Sequence, residues 1–172
     1  MGKGSRDKGA RFERTIAREL REWLGEDWQV QRVPGYRQRG EVGQAGDLAV
    51  SGPFRFPFCV EVKHYAGWST DQLFTPGAAM LRDFWSQTVE QAEAVDLLPL
   101  LLVRRDRGQT IAVMPLGAAR RIVWKWAHQA RVLVRSDQHI DAGRVDRVCA
   151  VRWLELVKVD PSSLYGLIDG RC

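Results

Sequence analysis

The chain predicts an α/β fold, a mixed central sheet flanked by helices, on three observations. Its 172 residues are 45% hydrophobic, enough for one sizeable core and close to the usual length of a single domain. Apolar residues recur at helical spacing in three segments, and short apolar runs of strand length lie between them. The resulting order is helix, strand, loop, strand, strand, helix, strand, strand, helix, then β-leaning sequence, and a sheet covered by helices is the layer arrangement that buries those faces.

From Gly9 to Leu24, the residues Phe12, Ile16, Leu20, Trp23 and Leu24 form one helical stripe, and Gly25 stops it. Trp28, Val30 and the Val33-Pro34 break predict a short strand, followed by a polar, glycine-rich loop from Gly35 to Gly46. Asp47 to Val50 and Phe56 to Lys63 read as two strands of a hairpin around Gly52-Pro53. A second helix runs from Ala79 to Val95, its stripe carried by Leu81, Phe84, Trp85, Val89, Ala92 and Val95. Leu97 to Val103 and Thr110 to Met114 read as strands around an Arg-Arg-Asp-Arg-Gly turn, Leu116 to Ala127 as a helix, and Val132 to Val134 and Val148 to Val159 as shorter or edge strands. Residues 1–115 hold the core elements, and residues 116–172 are an extension of the same domain, with an accessory or dimerisation role open to them.

Composition excludes several classes. No apolar run approaches the roughly 18 residues of a membrane span, and the charged N-terminus leads into an amphipathic pattern, so a cytoplasmic location without membrane association is the expectation. Cys59, Cys149 and Cys172 are odd in number and widely spaced, which predicts reduced thiols. The three histidines, His64, His128 and His139, have no ligand spacing, and no Walker-type phosphate loop is present. The net charge is +5, and 21 of the 26 cations are arginine, whose planar fork suits phosphate oxygens. Ten of the 26 cations, eight arginines with Lys3 and Lys8, precede Ala45, which points to a polyanionic partner.

The chemistry concentrates at Asp47, Glu61 and Lys63. Residues i and i+2 of a strand share a face, so Glu61 and Lys63 point one way while Val60 and Val62 point into the core, and the hairpin brings Asp47 alongside. Two converging carboxylates repel unless a cation lies between them, and Mg²⁺ is commonly held by one or two carboxylates with phosphate and water. Lys63 would then orient an attacking water and offset charge on the phosphorane, so the implied reaction is phosphodiester hydrolysis. An isolated Glu-x-Lys more often marks the wet face of a surface strand. Here the flanking segments are apolar, and charges in such strands need a reason.

At these residues the chain resembles the PD-(D/E)xK nucleases, and within them the archaeal-type Holliday-junction resolvases also found in phages. The similarity spans roughly Lys3 to Met114 and includes Lys8-Gly-Ala-Arg-Phe-Glu-Arg, Gly46-Asp47-Leu-Ala-Val, Val60-Glu61-Val-Lys63 and a following helix with Gln87 and Gln91. The resemblance implies a restriction-endonuclease-like core. It implies that Asp47 and Glu61 hold the metal with the Val62 backbone carbonyl, that Lys63 is the catalytic lysine and that Glu13 assists. It further implies Mg²⁺, with Mn²⁺ as a substitute, and a homodimer that cuts opposing strands of a four-way DNA junction. Two departures stand out: Gly46 occupies the position where the family usually has proline, and residues 34–46 contain no serine, which resolvases of this type often carry there.

Candidate DNA contacts are Lys3, Arg6, Lys8 and Arg11 in the basic N-terminal segment, Tyr36, Arg37 and Arg39 in the loop, Trp68 beyond the site, and Gln91. For Glu13 the ordinary alternative is an i to i+4 surface ion pair, and for Trp23, Trp85 and Trp126 it is a place in the core. Other nucleases on the same core (flap, nicking or restriction type) and a non-catalytic DNA-binding protein are the competing readings.

Overall fold

The computed structural model describes residues 3–33, 45–66, 79–123, 135–136 and 148–167. Helix α1 (Lys3–Leu24) is followed by β1 (Gln29–Arg32), β2 (Leu48–Ser51), β3 (Phe58–His64), α2 (Ala79–Ala94), β4 (Leu98–Arg104), β5 (Ile111–Pro115), α3 (Leu116–Val123), β6 (Arg135–Ser136), β7 (Val148–Arg152) and α4 (Trp153–Leu156), with a 3-10 turn at Pro161–Leu164. The strands form one seven-stranded sheet in the order β1-β2-β3-β4-β5-β7-β6. Only β3 and β4 are parallel among these pairs, with α2 as their crossover, and the remaining pairs are antiparallel. This is the mixed sheet with flanking helices that the sequence predicts.

Alternation along the strands divides the core in two. Val60, Val62, Leu100 and Leu102 pack with Phe12, Ile16 and Leu20 of α1 and with Ile122, Trp153 and Leu164. Leu101 and Val103 face the other way, against Leu81 and Trp85 of α2. Glu61 and Lys63 alternate with Val60 and Val62 and therefore belong to the α2 side, which decides where the candidate site lies.

Helix α1 begins at Lys3, about a turn and a half before the predicted Gly9. It ends as predicted: Gly25 takes φ +99° and its N–H returns to the Arg21 carbonyl at 3.0 Å. The larger correction is at the C-terminal end, where the predicted strand over 148–159 stops at Arg152 and turns into α4. Trp153 and Leu156 are both buried, and only a helical turn places residues three apart on one inward face. Residues 132–134, Trp126 and Trp68 lie outside the described residues. Trp85 is buried and Trp23 packs half-buried on the core, as expected of a structural role. Cys59 and Cys149 are buried free thiols. No described helix is long and apolar enough to cross a membrane.

Candidate active site

The site is built at the carboxyl end of β3, where α2 covers one side of the strand. Asp47 precedes β2 rather than opening it, and three backbone contacts hold the segment: the Val33 N–H donates to the Asp47 carbonyl (2.8 Å), the Asp47 N–H donates to the Val60 carbonyl (2.8 Å), and the Val62 N–H donates to Asp47 Oδ2 (2.8 Å). The Asp47 side chain is thereby tied to the backbone of the strand that carries Glu61 and Lys63. Gly46 makes this possible. It has φ +79°, and a Cβ there would lie 2.5 Å from the Val60 oxygen, so only glycine lets β3 approach this closely. Gly46→Ala is therefore expected to cost at least about 1–2 kcal/mol from the left-handed backbone alone, with the steric contact adding to it. An unchanged urea midpoint would contradict this.

Glu61 is 2% exposed. Its Oε1 accepts from Gln87 of α2 at 3.1 Å and pairs with Lys63 Nζ at 2.5 Å, while its buried Oε2 has no hydrogen-bond partner among the described residues. Burial pushes the carboxyl up to about 7; the charge of Asp47 adds to the rise, Lys63 opposes it by charge and hydrogen bond, and Glu13 raises it further. Lys63 is held over the Phe84 ring, 5.6 Å from its centroid. Beneath the site, burial, then Glu61 and Asp47, push the Cys59 thiol up to about 12, so it remains an unreactive thiol.

Glu13 is not in an i to i+4 pair. Its Oε2 accepts from both Nε and Nη2 of Arg32 on β1, and Glu13 is the less exposed partner. Sequence reading missed Arg32 as this partner, because only the packing of α1 on β1 brings the two together. The structure thus gathers Asp47, Glu61, Lys63 and, electrostatically, Glu13. Gln91 is half-buried, its Oε1 without a partner among the described residues. Lys8 and Arg11 are both exposed on α1, with Lys8 paired to Asp106. Tyr36, Arg37, Arg39 and Trp68 lie outside the described residues, as do the side chains of Lys3 and Arg6. His64 faces away from Lys63, edge-on to Phe12 of α1, as alternation predicts.

A buried carboxylate oxygen without a partner, beside a second carboxylate, is an arrangement that a divalent cation would complete. Among the described residues no three His, Cys, Asp or Glu side chains converge as a complete ligand cage, so two carboxylates would share the ion with water and substrate oxygens.

Comparison with known proteins agrees with this chemistry. A family model described as "Phage putative PDDEXK endonuclease" matches residues 4–165. Protein D14 of Escherichia phage T5 is 34% identical over 119 residues, which cover 66% of this chain and 72% of that protein. No solved structure matches significantly. The match runs through α1, the Asp47 and Glu61 strands and on to the C-terminal elements, so the chain belongs to the phage PDDEXK endonuclease family, nucleases of the PD-(D/E)xK superfamily that typically work with divalent metal ions.

Proposed function

We propose that the protein is a Mg²⁺-dependent, structure-selective endodeoxyribonuclease that acts as a homodimer on four-way DNA junctions. The observation that carries the hydrolytic reading is the buried Glu61 with its orphaned Oε2, set against Asp47 on one side and Lys63 on the other. Asp47, Glu61 and the Val62 carbonyl would hold the ion, with Gln87 fixing the Glu61 carboxylate. Bound there, Mg²⁺ would supply Lewis acidity toward a phosphoryl oxygen and activate water. Lys63 orients the attacking water and offsets charge on the phosphoryl group, and Glu13, held by Arg32, assists from α1. The resemblance of α1 and the Gln87 helix to junction resolvases supports the substrate, and a two-fold dimer matches the symmetry of a junction.

The test is cleavage of a labelled four-way junction and a duplex of matched sequence, with Mg²⁺ or EDTA. Paired Mg²⁺-dependent cuts confined to the junction are expected. Equal cutting of both DNAs would reject junction selectivity. It would favour a flap, nicking or restriction-type nuclease, the reading to which the missing serine in residues 34–46 points.

The raised Glu61 carboxyl makes a second expectation. Below about 7 the ion must displace a proton, so apparent Mg²⁺ affinity should fall about tenfold per pH unit between 6.5 and 5.5. Calorimetric titration in two buffers of different ionisation enthalpy should report about one proton released per site at pH 6. Release near zero would mean that Glu61 is not a ligand.

A further inference from the structure

We infer that the turn between β4 and β5, together with Lys8 of α1, is a phosphate-binding ridge that seats the DNA backbone beside the cleavage centre. The role assigned to it rests on the nuclease reading above. Its position follows from strand register. β3 and β4 run parallel, with Lys63 opposite Val103 and His64 opposite Arg104, and the Tyr65 N–H bonds the Arg104 carbonyl at 3.0 Å. Both strands therefore end together, and the turn leaves the sheet at the end that carries Lys63.

The charge on this turn is concentrated and uncommitted. Arg104, Arg105 and Arg107 fall within four residues, and Arg105 and Arg107 are exposed. Among the described residues the guanidinium groups of Arg105 and Arg107 have no carboxylate partner. Arg11, Arg14, Arg21, Arg82 and Arg120 share that property, so what sets the turn apart is that its forks are clustered at the sheet end that carries Lys63. Paired cations solvate a surface; unpaired arginine forks beside a phosphodiester site are suited to bind backbone oxygens.

The turn is also held in place. Arg107 adopts φ +57°, a left-handed conformation that an arginine reaches only at a cost, and the Gly108 N–H closes the turn on the Arg105 carbonyl at 3.0 Å. Asp106 reaches Lys8 Nζ at 3.0 Å and His64 Nε2 at 3.0 Å, and Lys8 holds its carboxyl below the usual range. Arg104 lies over the Phe12 ring, 5.7 Å from its centroid, so strand end, turn and α1 form one support. Asp106 orders the ridge and also opposes its purpose, because it neutralises Lys8 and repels phosphate.

These two roles can be separated by measuring DNA affinity in metal-free buffer between about 50 and 200 mM NaCl. The full-length protein would be compared with Arg105→Ala/Arg107→Ala, Asp106→Asn and, as a remote control, Lys158→Ala. The double variant should lose about tenfold or more in affinity, and its log–log salt slope should flatten by nearly 2, about 0.9 for each phosphate contact removed. Asp106→Asn should bind several-fold more tightly, a gain that a merely structural role would not produce. Lys158→Ala should match the parent. An unchanged slope in the double variant, or weakened binding in Asp106→Asn, would overturn the ridge. Cleavage with Mg²⁺ measured in parallel keeps the two readings apart. If the parent cuts DNA but the slopes are unchanged, the ridge alone fails; if the slopes shift but the parent cuts no DNA, the nuclease reading fails and the binding surface stands.

Discussion

Glu61→Gln is expected to abolish DNA cleavage and at the same time to stabilise the metal-free protein. Replacing the carboxylate with an amide of the same shape removes the charge proposed to hold the ion and the partner that pairs with Lys63, and a loss on the order of 10³-fold in cleavage rate is the scale for such groups. The gain in stability has a separate origin. The carboxyl titrates at about 7 in the folded protein against an ordinary value of 4.5, because it is buried next to Asp47. Its favourable contribution is complete below 4.5, where both states are protonated, and it is lost as pH rises through 7, where the folded state must ionise a buried group. The full shift corresponds to about 3 kcal/mol. Glutamine forfeits the Lys63 pair, so a net gain of about 1–2 kcal/mol at pH 8 is expected, shrinking toward zero at pH 4. Urea unfolding of both proteins in EDTA at the two pH values checks it. A destabilised Glu61→Gln at pH 8 would show that the ion pair outweighs the burial. Lys63→Ala should match it in lost cleavage while retaining DNA binding.

Trp153→Ala should be the most damaging change outside the site, at about 3–5 kcal/mol. Trp153 is 1% exposed and meets Trp23 edge to face, with centroids 6.0 Å apart. Its indole N–H donates to Glu19 Oε2 at 2.8 Å, so truncation leaves both a cavity and a half-buried carboxylate without its donor. The Trp153 N–H also bonds the Thr110 carbonyl at 3.0 Å, fastening the C-terminal segment to the start of β5. A fall of roughly 10 °C in melting temperature is expected for a chain of this size. Leu154→Ala, at the neighbouring residue that is 62% exposed, should stay within about 0.5 kcal/mol and serves as the control. A small loss at Trp153 would mean that the C-terminal elements only decorate the sheet.

Much of this was legible in local pattern. The α1 stripe of Phe12, Ile16, Leu20 and Leu24 is buried as its spacing predicts, and Gly25 ends the helix. The Val60-Glu61-Val62-Lys63 alternation alone placed the two charged residues on one face. The C-terminal elements were harder to read. An apolar run from Val148 to Val159 satisfies a strand as well as a strand followed by a helical turn, and the choice fell to where Trp153 and Leu156 find space against α1. An i to i+4 pair for Glu13 is excluded by the sequence itself, since Gly9 and Ala17 stand four residues away, but its true partner Arg32 is distant in sequence and adjacent only through packing.

The sequence by itself determined the fold class, the helix and strand periods, and the residue types that meet at the site, because period and side-chain chemistry are local properties. Tertiary structure decided what those residues experience. Covering Glu61 with α2 is what desolvates the carboxyl and raises its pKa, the parallel pairing of β3 with β4 is what sets the arginine turn beside Lys63, and the close approach that only Gly46 allows is what brings Asp47 to both. Each of these is a property of segments distant in the chain, and burial and charge proximity exist only once those segments are packed together.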